Sequence, residues 1–301
     1  MSDHRAEHVA GDEYREPDRD GPIEPVIDEE HALTDAEMER VPELVSLRAP
    51  AIYAVVKEEG EAELARPTAA LFWSGLVAGV SMGFSVLALS AIRRFLPDVD
   101  WAPLIASFGY AFGFLIVILG RQQLFTESTI TAVVPLASRF SLGTLGHTAR
   151  VWGTVLLANW IGCALIAAGF VFAAVVPKEI AVEIVDFSKH LMDLSPLTAF
   201  VHGIGAGFLI AALVWMMPMA EASKALMIIL VTWLIAVAGF THAIAGMVEI
   251  MVLVFEGEVG AWRGVVEIAL PTLLGNIAGG TFLFAGLAYA QVHQELGHGD
   301  G

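Results

Sequence analysis

The chain has 301 residues, of which 56% are hydrophobic and 16% charged; its mean hydropathy is +0.68 and its formal net charge −17. A soluble protein of this size carries about a quarter charged residues, so the composition excludes an ordinary soluble domain. The acidic balance also speaks against nucleic acid as a partner.

Residues 1–66 hold seven of the sixteen Lys and Arg and a dense set of acids, whereas the rest of the chain is nearly bare of charge. Residues 1–43 combine acids with Pro and Gly and lack apolar periodicity, which predicts a disordered tail. They contain no apolar segment of the kind a signal peptide needs. Residues 44–66 differ. After Pro50, the apolar Ile52, Val55 and Val56 recur at helical spacing opposite Lys57, Glu58 and Glu59. This predicts a short amphipathic helix, either lying along a membrane surface or packed on the protein's own loops.

Residues 67–294 follow as a succession of uncharged runs: Pro67–Ile92, Trp101–Gly120, Val151–Pro177, Leu194–Ala220, Ala225–Val248 and Ile268–Gln294. Each has 20 to 27 residues, and about 20 apolar residues cross a hydrocarbon core about 30 Å thick. The expected fold class is therefore all-α with six membrane spans and both termini on one side. Basic residues flank the two faces evenly, so charge bias does not orient the chain. Residues 295–301 form a short C-terminal tail. Cys163 is the one cysteine, which leaves no internal disulfide.

An internal repeat runs through the spans. GLVAG (Gly75–Gly79) recurs as GIGAG (Gly203–Gly207), LFTESTI (Leu124–Ile130) as GFTHAIA (Gly239–Ala245), and ANWIG (Ala158–Gly162) as GNIAG (Gly275–Gly279), in the same order. Three spans per repeat is an odd number, so the second copy must run inverted. Inverted repeats with interrupted helices and a site near the midplane are a recurrent transporter design. GRQQLFTEST, from Gly120, is then a break in the second span, and GFTHAIAGMVE, from Gly239, a break in the fifth. Polar, non-helical backbone at that depth is tolerable only where protein or a water-filled cavity surrounds it.

On PAIYAVVKEEG before the first run, LFT-x-ST in the second-span break, GF-x-H-x-IA in the fifth and GNIAGG in the sixth, the chain resembles the formate/nitrite transporter family over about residues 45–294. The RQQLFTE variant looks like a less characterised bacterial branch of it. The resemblance implies a formate channel-like, aquaporin-like protomer with one pore, assembled as a homopentamer in the bacterial cytoplasmic (inner) membrane with cytoplasmic N- and C-termini. It implies a pore role for Leu124, Phe125 and Thr126 at a constriction, for His242 as the central histidine, and for Phe114 and Tyr110 as bulky narrowing residues. It also aligns Asn159 and Asn276 with the family's two Asn-x-x-Gly motifs, whose glycines here are Gly162 and Gly279. Arg121, Gln122, Glu127, Glu249 and Gly207 depart from the formate-channel pattern.

Taken one by one, the candidate residues carry alternatives. His242 is a pore histidine or a helix–helix hydrogen bonder. Arg121 and Glu127, six apart around a break, form a structural ion pair or leave Arg121 to attract an anion, since charges at bilayer depth pair or face water. Thr126 lines the pore or satisfies loop backbone. Asn159 and Asn276 hold the breaks through side-chain hydrogen bonds, and Gly162 and Gly279 permit close helix packing. No phosphate loop, metal-ligand cluster or nucleophile beside a base is present in the sequence, so neither an enzyme nor a cofactor is expected. The expected function is a channel or proton-coupled transporter for a small monovalent anion of formate, nitrite or hydrosulfide size. The anion would cross as its protonated acid past His242. The rivals are an aquaporin-like pore for a neutral solute and a non-conducting membrane protein that recruits a partner through its acidic tail.

Overall fold

The computed structural model describes residues 47–220 and 222–297; the expected acidic tail, 1–43, lies outside them, as do the last residues of the expected C-terminal tail. All regular structure among the described residues is helical. In chain order the helices are α1 (Ala49–Ala65), α2 (Thr68–Phe95), α3 (Ala102–Leu119), α4 (Phe125–Thr131), α5 (Val133–Ser138), α6 (Leu142–Phe172), α7 (Lys178–Ser188), α8 (Pro196–Met219), α9 (Lys224–Val237), α10 (Ala245–Glu256) and α11 (Arg263–Glu295).

Five of these helices, α2, α3, α6, α8 and α11, are long and apolar enough to cross a membrane. The fifth uncharged run is not continuous: it divides into α9, of 14 residues, and α10, of 12, with non-helical backbone between them. The second span divides in the same way, α3 ending at Leu119 and α4 starting at Phe125. Both interruptions fall where the polar clusters predict them.

Starts and crossings follow from local chemistry. Ser141 and Ser195 cap α6 and α8, their hydroxyls accepting from Thr144 N (3.0 Å) and Thr198 N (3.1 Å). The spans meet in two matching crossings, α2 on α6 and α8 on α11. A Cβ at Gly79 would run into the Asn159 carbonyl, and one at Gly207 into the Asn276 carbonyl. Gly162 and Gly279 face the carbonyls of Leu76 and Ile204 in the same manner. The glycines therefore bring backbones within reach of the two asparagines. Large apolar side chains such as Trp73, Leu157, Leu165, Leu197 and Phe282 are more than half exposed, the surface that lipid or a neighbouring copy covers.

α1 covers part of its expected apolar face, Val56 and Ile52, against the protein and leaves Val55 exposed. Val56 is fully buried with Ile130, Val134, Ala211 and Val214, and Ile52 and Tyr53 pack on the same cluster. Gly60 sits against the Thr131 carbonyl and the Pro135 ring. The helix thus braces the segment that follows the second-span break.

Candidate functional site

Each break begins by ending a helix in one and the same way. In α3, Arg121 N bonds the Ile118 carbonyl (3.2 Å) and Gln122 N the Val117 carbonyl (2.9 Å), with Arg121 left-handed at φ 51°. In α9, Gly239 N bonds the Ala236 carbonyl (3.1 Å) and Phe240 N the Ile235 carbonyl (3.0 Å), with Gly239 at φ 67°. This double bond over a left-handed residue is the Schellman termination.

An asparagine from the following long span then clamps each loop. Asn159 Nδ2 donates to the carbonyls of Gly75 (2.7 Å) and Gln123 (3.0 Å), and its Oδ1 accepts from Phe125 N (2.9 Å). Asn276 Nδ2 donates to the carbonyls of Gly203 (2.9 Å) and Thr241 (2.9 Å), and its Oδ1 accepts from Ala243 N (2.8 Å). Both carboxamides are fully buried, and each satisfies two polar atoms that the break exposes, an N–H and a carbonyl, while tying them to a carbonyl of the neighbouring span. The clamps also set the register of the repeat. Arg121 corresponds to Gly239, Gln123 to Thr241, Leu124 to His242 and Phe125 to Ala243. The expected match of Phe125-Thr126 to Phe240-Thr241 is therefore three residues out of register, a coincidence of two common residue types.

The two breaks touch through their side chains. Thr126 Oγ1 lies 2.8 Å from His242 Nε2, and both residues are buried. The backbone N–H groups of Ile244 and Ala245 point at His242 Nδ1 (3.3 and 3.2 Å). Nδ1 is thus the acceptor, and the neutral ring carries its hydrogen on Nε2, facing Thr126. The imidazole caps the start of α10 with one edge and presents one N–H to the Thr126 hydroxyl with the other. Phe114 stands edge-on to the ring (centroids 4.9 Å), and Tyr110 follows at 5.4 Å from Phe114.

On the Tyr110 side of His242 a cavity of about 150 Å³ opens, lined among others by Tyr110, Phe240, Thr241, His242, Glu249 and His190. The expected pore residues do not all converge on it. Leu124 and Thr126 are fully buried in the loop. Phe125 packs edge-to-face on Trp152 of α6 (5.6 Å), so its ring anchors the break.

The ion pair expected between Arg121 and Glu127 is not made. The Schellman turn throws the Arg121 side chain outward, 84% exposed and 3.8 Å from Glu59 of α1. Glu127 is turned inward, with a buried Oε1 that has no hydrogen-bond partner. The acid that does hold the loop is Glu63 of α1. Its carboxylate accepts from Gln123 Nε2, Ser128 Oγ (2.6 Å) and Thr131 Oγ1. Gln123 in turn accepts from Arg66 (2.7 Å) and takes its backbone N–H to Ser74 Oγ (3.0 Å). Burial pushes the Glu63 carboxyl above the ordinary range, against the Ser128 and Thr131 hydroxyls and Arg66. Glu63 and Gln123 escape motif reading. The one sign of Glu63 is its place on the buried stripe of Val56, Gly60 and Leu64, three to four residues apart.

Residues 50–290 match the family model for the formate/nitrite transporter. The chain belongs to the formate/nitrite transporter family. It is 41% identical over 249 residues to the Inner membrane protein YfdC of Escherichia coli (strain K12), covering 83% of this chain and 80% of that one. It is 25% identical over 150 residues to the Formate channel FocA of Haemophilus influenzae, 48% of this chain and 52% of that one. Two solved structures share the fold. A pentameric formate channel with formate bound matches with TM-score 0.65 at 19% identity, over 75% of this chain and 98% of its own. An FNT family ion channel matches with TM-score 0.67 at 20% identity, over 80% and 98%. The family is one of transporters, not enzymes, and the all-helical, twice-broken architecture is that of its channels.

Proposed function

We propose that the protein is a channel for a small monovalent anion of formate, nitrite or hydrosulfide size, which crosses as its protonated acid past His242. The observation that carries this reading is the Thr126–His242 contact, 2.8 Å long, which joins the two breaks at the inner end of a cavity. A bare anion entering that apolar, buried place loses its hydration at large cost. The neutral imidazole, with Nδ1 held by two backbone N–H groups, is a poor proton source, so the proton comes with the solute or from cavity water. The ring's Nε2–H and the Thr126 hydroxyl are the groups that a passing acid would bond.

Membership in the family and the pentameric assembly of a formate channel of like fold support a homopentamer in the bacterial inner membrane. On the same reading both termini face the cytoplasm, and residues 1–43 form a tail that conduction does not need. Flux into vesicles holding the reconstituted full chain, measured for formate, nitrite and hydrosulfide at acidic and neutral pH, tests the proposal. We expect acid-dependent uptake of one or more of them, strongly reduced in His242→Leu. No uptake of any overturns it. The buried Glu249 and the buried, unpartnered Oε1 of Glu127 favour a second reading, a pore for a neutral solute. Urea or glycerol flux without anion flux would establish that one.

A further inference from the structure

The cavity beside His242 holds one polar group that the route past the imidazole leaves unused. Glu249 of α10 lines it and is 4% exposed, and its Oε2 is buried without a hydrogen-bond partner. Its place along the path follows from the helix. The His242 ring accepts from Ala245 N, and Glu249 lies four residues further, about 6 Å along α10. His190, half exposed, lines the same cavity with its Nδ1 3.7 Å from Glu249 Oε2. A solute that enters past His190 therefore meets Glu249 before His242. The side chains that could engage this carboxyl are occupied elsewhere. Arg93 of α2 binds Glu183 of α7 (2.6 Å), and Lys189 is shared between Asp186 (3.2 Å) and Glu258 (3.5 Å). His190 Nδ1 faces the Phe187 carbonyl at 2.7 Å. Of the hydroxyls that line the cavity, those of Thr241 and Ser107 donate to the carbonyls of Ala199 (2.9 Å) and Pro103 (2.7 Å). An ionised carboxylate buried without a donor is costly, and the neutral carboxylic acid is the form that these surroundings accept. In that form it presents one O–H donor and one acceptor oxygen on a single planar edge.

We propose that the cavity is a binding subsite for a small planar oxyacid and that the Glu249 carboxyl is its specificity-determining group, holding the solute through a matched donor–acceptor pair. Formic and nitrous acid each carry an O–H and a second oxygen on one edge, and meet the carboxyl with two hydrogen bonds. Hydrosulfide has one heavy atom and weak hydrogen bonding, and gains little from that edge. Phe240, Met247, Ile250 and Ile268 complete the lining with apolar surface, so the carboxyl orients the solute and the walls exclude water from it. The solute then moves inward to the Nε2–H of His242 and the Thr126 hydroxyl. The subsite rests on the anion reading above and narrows its substrate class to oxyacids such as formate and nitrite.

The test is uptake of formate, nitrite and hydrosulfide into vesicles holding the full-length protein, with equal pH on both sides and correction for empty vesicles. Glu249→Gln keeps the shape and the planar edge, with N–H as donor and C=O as acceptor. Glu249→Met keeps the bulk and removes both. Glu249→Met should lower formate and nitrite uptake about tenfold, the contribution of two ordinary hydrogen bonds, and leave hydrosulfide uptake as in the wild type. Glu249→Gln should stay close to the wild type throughout. An unchanged Glu249→Met, an equal loss in Glu249→Gln, or a loss that hydrosulfide shares overturns the subsite while leaving the channel reading intact. So does a wild type that carries hydrosulfide alone. A wild type that carries none of the three overturns both. Formamide, which has the same donor–acceptor edge, should in large excess slow formate uptake by the wild type, whereas methyl formate, which lacks the donor, should not. If Glu249→Met does not assemble by size-exclusion chromatography, this last comparison decides alone, and equal effects of the two compounds, or none, overturn the subsite.

Discussion

The second-span break and the fifth-span break are one backbone solution filled with different chemistry. Both end a helix with a Schellman turn, both hang on the carboxamide of an asparagine, and both sit against a glycine crossing. At the position equivalent to His242 the first break carries Leu124, and the contact to His242 comes from Thr126 two residues on. The first break also has a second support. Glu63 reaches in from α1 to Ser128, Thr131 and Gln123, whereas the second break has the Thr241 hydroxyl on the Ala199 carbonyl (2.9 Å), the Cys163 thiol on the Ile244 carbonyl (3.3 Å) and the His242 cap, and no carboxylate among the described residues takes the place of Glu63. The scaffold is thus duplicated, while the groups that meet the solute and those that brace the loop are not. A break that must hold an imidazole in one orientation gets it from its own helix start, and its partner is held from outside.

The largest effect expected from this contrast concerns the clamps. Asn159→Ala and Asn276→Ala each strand one buried N–H and one buried carbonyl of the break and cut its tie to a carbonyl of the neighbouring span. The cost is about 2 kcal/mol or more, since an unmet buried polar group costs about 1–3 kcal/mol. Asn276→Ala should be the worse of the two, because the first break keeps its Glu63 support. Thermal unfolding in detergent measures both. Equal losses, or a larger one for Asn159→Ala, would mean that the Glu63 cluster adds nothing to the first break.

What could be read in advance divides along the same line. Six uncharged runs, two polar interruptions and two Asn-x-x-Gly motifs are local and repeated, so the all-helical fold and the clamps were legible from composition and spacing. The pairing of charges was not. Arg121 and Glu127 lie close in sequence, but the left-handed turn at Arg121 sends the two side chains apart, and no spacing rule contains that torsion. Glu63 meets Gln123 only because α1 folds back onto the break, a contact between segments sixty residues apart. The misaligned Phe-Thr pair has a related cause. The Schellman residue is a glycine in one break and an arginine in the other, so the landmark that would have set the register is visible only once.

A smaller effect sharpens the difference in bracing through pH. The folded-state carboxyl of Glu63 is raised by burial above its unfolded value. A raised carboxyl favours the folded state in its protonated form. Its contribution is full below the ordinary carboxylate range and is lost as pH rises through the raised value. Acidifying from neutral toward the ordinary carboxylate range should therefore raise the melting temperature by a component that Glu63→Gln lacks. Melting curves of both proteins across that window measure it. A Glu63→Gln profile parallel to the wild type would show that Glu63 does not titrate on unfolding.

The smallest effect separates the two turns themselves. A left-handed residue other than glycine costs about 1 kcal/mol, because its Cβ crowds the following carbonyl. Arg121 bears that cost at φ 51°, and Gly239 avoids it at φ 67°. A Cβ at Gly239 would meet nothing within 4 Å, so Gly239→Ala tests torsion without steric interference. It should destabilise by about 1 kcal/mol. Arg121→Gly should do the reverse, less whatever the exposed Arg121–Glu59 pair contributes, which for a surface pair 3.8 Å long is about 0–1 kcal/mol. Arg121→Gln keeps the torsional cost and removes only the pair, so the difference between Arg121→Gly and Arg121→Gln isolates the turn. Since Arg121 and Glu127 do not touch, Arg121→Gln combined with Glu127→Gln should equal the sum of the single effects. Coupling between those two positions would mean that the loop spends part of its time with Arg121 turned inward, where its charge could serve an entering anion.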